Sequence, residues 1–260
     1  MPTEWLAVSS LTAFLAVFTR VGSALVLIPL PGMRGAITPI RVVLALALTV
    51  ILMPAWPRDL ALPGDVGGIV ALLLGETVIG LLLGLVASVS VECLVLSAQV
   101  VSLQAGYSYA STIDPASEAD AGVLTVVAQL AASLIFLGCG LDRPLFGALA
   151  RSLAAWPPGS SLAPAAFVPE AVRLGAIVLE YGMRLAIPVV ALLLLTDVTL
   201  ALLARINAQL PLLSVSFSIK MLAALFLLAW LAPGWPAILK SAAEAAWRPM
   251  ATQVAGKAGG

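Results

Sequence analysis

Long apolar runs, punctuated by proline and glycine, fill this chain, and the two-residue alternation of a half-buried strand is absent. The first run extends from about Trp5 to Leu30 and stops at Pro29, Pro31 and Gly32. A second, from about Val42 to Leu52, stops at Pro54 and Pro57, and the turn-rich stretch Trp56 to Gly68 follows. From Ile69 to Leu103 there is no proline, and the only charges are Glu76 and Glu92. As helix those residues would extend roughly 50 Å, more than one ordinary crossing of a ~30 Å hydrocarbon layer. Either the helix breaks near Gly80 and Gly84, or it projects beyond the bilayer into a protein assembly.

A polar, small-residue insert from Gln104 to Gly122 then interrupts the pattern, and Val123 to Gly140 reads as another apolar helix. Pro157, Pro158, Pro164 and Pro169 mark a connection too rigid and polar to cross lipid. The run Ala171 to Leu203 is again overlong and carries Pro188 as a kink position. Leu210 to Ala232 closes at Pro233-Gly234, Ala237 to Trp247 reads as a short amphipathic helix, and residues 251–260 read as a disordered tail. These runs give six candidate spans within a single integral membrane domain over residues 1–250. The distribution of Lys and Arg between spans favours both termini on the cytoplasmic side. Acidic Glu4, with no basic segment ahead of the first run, argues against a cleaved signal peptide.

Composition sharpens the class. With 62% hydrophobic and 10% charged residues and a mean hydropathy of +1.11, a soluble chain would have nowhere to hide its surface. The expected fold is an all-α polytopic membrane protein, and the lack of alternation excludes a membrane barrel. Net charge is zero with no basic cluster, which removes nucleic acid as a partner. The chain has no His, so His-based metal sites and general bases are excluded; no cofactor, metal or catalytic set is expected. Cys93 and Cys139 lie in apolar stretches and read as small core residues.

Charges stranded in apolar segments carry the most information. A central Arg, Lys or Asp facing lipid costs roughly 2.5–3.5 kcal/mol. Arg20, Glu76, Glu92, Arg184, Asp197 and Lys220 therefore point to helices that face protein or water. Snorkelling towards a helix end suits Arg184 and Lys220 as an alternative, but not Arg20 or Asp197. Gly80, Gly84 and Ser88 form a small-residue stripe that lets another helix approach closely. Gln99, Ser102 and Gln104 serve either interhelical hydrogen bonds or the lining of an aqueous path. In the insert, Asp114-Pro115 favours a turn, and Asp114, Glu118 and Asp120 make it acidic. It is either an ordinary exposed loop or a re-entrant plug, which membrane depth tolerates only when buried in protein or beside water.

At these residues the chain resembles the FliR/SctT family of type III secretion export-apparatus proteins. Gly106, Ser108, Ala110 and Ser111 leading to Asp114-Pro115 resemble that family's loop, with Tyr107 and Tyr109 between them. Phe18, Arg20, Gly22 and Pro29 resemble its N-terminal segment, and Glu76, Gly80 and Gly84 its E-x-x-x-G-x-x-x-G helix. Leu185-Ala186-Ile187-Pro188 followed by Asp197, and then Arg205, Gln209 and Phe217, resemble its later stretches. The likeness covers roughly Phe14 to Leu231 and leans to the flagellar branch. Ala208 and Ser218 depart from it, standing where the family often has proline.

The resemblance implies a non-enzymatic subunit joined to FliP-like and FliQ-like chains in a helical export gate, with FlhB-like and FlhA-like components nearby. Unfolded flagellar subunits would pass through it, and the loop 106–122 would plug the channel at rest. The implied place is the bacterial inner membrane, at the flagellar basal body. Nothing in the chain resembles a nucleotide-binding Gly-Lys-Ser/Thr element. Two other classes compete: a secondary transporter with a midplane site at Asp197 and Arg184, and an intramembrane enzyme. The first needs an inverted repeat that the sequence does not display, and the second a nucleophile and base that it does not arrange.

Overall fold

A computed structural model of the chain describes residues 8–29, 31, 38–57, 60, 64–107, 122–159, 164–206 and 212–258. Among them are eight α-helices and no strand: α1 (Val8–Leu27), α2 (Thr38–Ile51), α3 (Val66–Ala105), α4 (Val123–Gly138), α5 (Asp142–Ala155), α6 (Pro164–Ile206), α7 (Leu212–Leu231) and α8 (Trp235–Ala258). The all-α membrane class expected from the apolar pattern is the one found.

Helix ends follow local chemistry. Asp65 caps α3, its carboxylate accepting the Gly68 amide at 3.1 Å. At the other end Gly106 takes φ +88°, and the amides of Gly106 and Tyr107 donate to the carbonyls of Leu103 and Ser102 at 3.3 and 3.0 Å. This left-handed glycine closure uses carbonyls that the helix leaves unpaired. Gly140, at φ +67°, ends α4 in the same way, with Leu141 N to Phe136 O at 3.1 Å. The turn bends α4 and α5 by 71°. Hydroxyls inside the apolar helices donate to carbonyls four residues back: Thr49 to Ala45, Thr77 to Leu73 and Thr196 to Leu192. That satisfies a polar group without a partner chain.

Several expectations change. The stretch from Ile69 to Leu103 does not break at Gly80 or Gly84; α3 is one helix of 40 residues, about 60 Å long. Among the described residues four helices are long and apolar enough to cross a membrane, or five if the bent α4–α5 pair is one span, in place of six. With the bent pair counted, the difference is α2, whose 14 residues reach only about 21 Å. Helix α5 was not anticipated, because Asp142, Arg143 and Arg151 interrupt its apolar pattern. Helix α6 begins at Pro164, where a missing amide costs nothing, and runs on through Pro169 and Pro188. Ser218 lies within α7, while Ala208 lies outside the described residues. Helix α8 extends to Ala258.

The chain forms two compact units. One comprises Met1–Val89, Phe136–Ala176 and Ala243–Gly260; the other comprises Ser90–Ile135 and Ile177–Ala242. In the first, buried side chains come from α1 (Ala13, Val17, Val21), the N-terminal half of α3 (Ile79, Leu83) and α5 (Leu145, Leu149). In the second they come from α3 (Leu94, Val101), α4 (Ala128, Ala132) and α6 (Ala186, Val189, Leu193). Both cysteines are free thiols, Cys93 buried and Cys139 half-buried beside the Gly140 turn.

Candidate functional site

The first unit buries a charged node. Arg20 of α1 is 0% exposed and Glu76 of α3 is 1% exposed, an extreme position for two ionised groups unless they satisfy each other. Arg20 Nε donates to Glu76 Oε2 at 2.6 Å. Its Nη1 donates to the carbonyl and hydroxyl oxygens of Ser152 at 2.9 and 3.2 Å, and Nη2 to the Trp156 carbonyl at 2.9 Å. The Gly159 amide reaches the other Glu76 oxygen at 3.3 Å. Ser152 and Trp156 stand at the C-terminal end of α5, where the Ser152 carbonyl already receives the Trp156 amide at 2.9 Å and the carbonyls of the last turn carry partial negative charge. Arg20 therefore caps α5 while neutralising Glu76, holding α1, α3 and α5 at one point.

The glycine stripe explains how α1 comes so near α3. A Cβ at Gly80 would overlap the Arg20 carbonyl and Ser23 Oγ, and one at Gly84 would lie 2.5 Å from the Ala24 carbonyl. Gly75, on the same helix, has nothing within 4 Å of that position. Gly80 and Gly84 are thus contact surfaces, where the backbone of α1 lies in the space that a side chain on α3 would take.

The second unit assembles a different polar cluster. Lys220 Nζ of α7 lies 2.5 Å from Asp197 Oδ1 of α6, and Gln104 Nε2 of α3 donates to Asp197 Oδ2 at 3.3 Å. Tyr107 donates its hydroxyl to the Met221 carbonyl at 2.9 Å, and burial raises its phenol above the ordinary 10.0. The polar insert begins and returns at one turn of α3. Ser102 O receives the Gly106 and Tyr107 amides, and a Cβ at Gly122 would lie 3.2 Å from Ser102 Oγ. Close approach recurs here, since a Cβ at Gly182 of α6 would lie 2.8 Å from Leu96 Cδ2 of α3.

The remaining positions separate. Arg184 pairs with Glu180 at 2.6 Å on an exposed face and lies over the Tyr181 ring. It is 13 residues from Asp197 on one helix, roughly 20 Å along the axis. Arg184 and Asp197 therefore do not form the shared midplane site that a transporter reading requires. Gln99 is exposed, and Arg205 is exposed in the last turn of α6, where a cation suits the helix end. Gln209 and the loop residues Ser108, Tyr109, Ala110, Ser111, Asp114 and Pro115 lie outside the described residues. Sequence reasoning missed Trp156, Gly159 and Met221, which act through backbone atoms and leave no side-chain signature, and Ser152, which uses its carbonyl and its hydroxyl. The one usable signal was Pro157-Pro158, which forces a helix to end just where Arg20 caps it.

Comparison with known proteins places this arrangement. The family described as bacterial export proteins, family 1, matches residues 11–246. The flagellar biosynthetic protein FliR of Pectobacterium carotovorum is 26% identical over 231 residues, 88% of each chain. FliR of Escherichia coli is 27% identical over 233 residues, 88% of this chain and 87% of that one. The surface presentation of antigens protein SpaR of Salmonella typhimurium is 26% identical over 192 residues, 73% of this chain and 72% of the other. The match runs from α1 into α8 and includes both polar clusters, so this chain belongs to family 1 of the bacterial export proteins, the FliR/SctT family.

Proposed function

We propose that this chain is a non-enzymatic channel subunit of the flagellar type III protein export gate, needed to export flagellar subunits and so to build the flagellum. The observation that carries the reading is the family match over residues 11–246, with FliR proteins similar over most of their length. Apolar side chains exposed along α6, among them Leu179, Ile187, Leu194, Leu195 and Val198, support a chain that works surrounded by lipid and other subunits. Its partners in this reading are FliP-like and FliQ-like membrane subunits, with FlhB-like and FlhA-like export components, and its cargo is unfolded exported protein. It resides in the bacterial inner membrane as a multi-pass protein of the flagellar basal body.

The loop 106–122 is the pore plug in this account. Support comes from its closed ends: both meet Ser102 on the last turns of α3, and Tyr107 is tied to Met221. A loop so rooted can fill a channel without displacing the helices that carry it. Small residues suit the task, since they pack closely and leave with little desolvation cost. The test is deletion of residues 106–122 in the assembled complex, followed by ion conductance across a bilayer. The plug reading expects leakage to rise, and conductance equal to the intact complex would refute it.

A further inference from the structure

Helix α8 contains Pro249. Proline has no amide hydrogen, so the bond that would run from residue 249 back to the Ala245 carbonyl cannot form, and the ring pushes that carbonyl outward. A donor from another helix stands at this point. Arg173 of α6 places Nη1 3.1 Å from Ala245 O and Nη2 3.0 Å from Ala246 O. Glu170, one turn earlier, holds the same guanidinium, with Arg173 Nε to Oε2 at 2.9 Å and Nη2 to Oε1 at 2.5 Å.

We infer that Arg173, oriented by Glu170, replaces the amide missing at Pro249 and clamps the direction of α8 beyond the proline. The guanidinium suits this position because its rigid fork serves a carboxylate on one edge and two successive carbonyls on the other. An ammonium has no such fork. Without the clamp, α8 would carry an orphaned carbonyl at the residue where proline already weakens it, and the turns after Pro249 would be free to swing. With it, the turn that runs into Pro249 is tied to the start of α6 through the Ala245 and Ala246 carbonyls, which fixes where the turns beyond the proline set out. Arg173 is thus a positioning residue for the C-terminal segment, separate from the Arg20–Glu76 node and from the Asp197 cluster.

The inference makes the effect of Arg173 conditional on Pro249. The test compares amide hydrogen exchange along α8 in the full-length chain, within its detergent-solubilised complex, for Arg173→Gln, Pro249→Ala and the double variant. Arg173→Gln is expected to speed exchange over residues 247–258 about tenfold in the Pro249 background. In the Pro249→Ala background, where the missing amide is restored, the same change should have almost no effect. Equal acceleration in both backgrounds would overturn the inference, since Arg173 would then act through Glu170 or packing alone. No acceleration in either would overturn it as well. Should Arg173→Gln fail to accumulate, Glu170→Gln keeps the guanidinium but loosens it. A smaller acceleration, cancelled by Pro249→Ala, is then expected, and one that persists in that background would count against the clamp.

Discussion

Replacing Arg20 with methionine keeps most of the side-chain volume and removes the whole donor set of the buried node. Among the described residues Glu76, 1% exposed, would be left with only the Gly159 amide at 3.3 Å; the Trp156 carbonyl would lose the Arg20 donor, and the Ser152 carbonyl would keep the Trp156 amide alone. Stranding one member of a buried ion pair costs about 3–5 kcal/mol. At about 2–4 °C per kcal/mol for a chain of this size, the melting temperature should fall by about 6–20 °C. Adding Glu76→Met removes the stranded carboxylate but still leaves the Trp156 carbonyl without the Arg20 donor, so the double variant should recover part of the loss and not all of it. The two single losses should then exceed the double loss by about 2–3 kcal/mol. Tryptophan fluorescence during thermal unfolding of the solubilised full-length complex reads this directly, because Trp156 stands at the node. Strictly additive losses, or an Arg20→Met chain melting within about 2 °C of the parent, would refute the reasoning.

Two further expectations use the same melts. Gly75→Ala should be neutral or stabilising by up to about 1 kcal/mol, since alanine favours helix and nothing lies near its Cβ. Gly80→Ala, five residues along α3, should cost about 1–3 kcal/mol because its Cβ meets the Arg20 carbonyl; equal melts for the two would contradict the contact. Asp197→Asn should cost only about 1 kcal/mol, since Asp197 and Lys220 are 37% and 15% exposed and solvent screens the pair. A drop as large as that for Arg20→Met would show that the Asp197 cluster is the main polar anchor instead.

Much of the helical pattern was legible because apolar runs bounded by proline and glycine have few alternatives. The places where it failed have physical causes. Glycine in a helix marks either a break or a close contact, and Gly80 and Gly84 looked the same under both readings until α1 was seen against them. Pro188, read from the sequence as a kink position, and Pro249, which the sequence reading passed over, both sit inside continuous helices. For Pro249 the reason lies 76 residues away in Arg173, beyond the reach of any local pattern. Arg20 and Glu76 stood out as stranded charges, since apolar surroundings demand partners for them. Their pairing with each other, 56 residues apart, belongs to tertiary structure. The carbonyls that complete the node come from a helix whose charged residues had disguised it.

Detergent co-purification of a tagged copy with its FliP-like and FliQ-like neighbours, followed by native mass spectrometry, tests the central claim most directly. The export-gate account predicts a defined hetero-oligomer holding a single copy of this chain. A monomer or a homo-oligomer, stable without those neighbours, would contradict it.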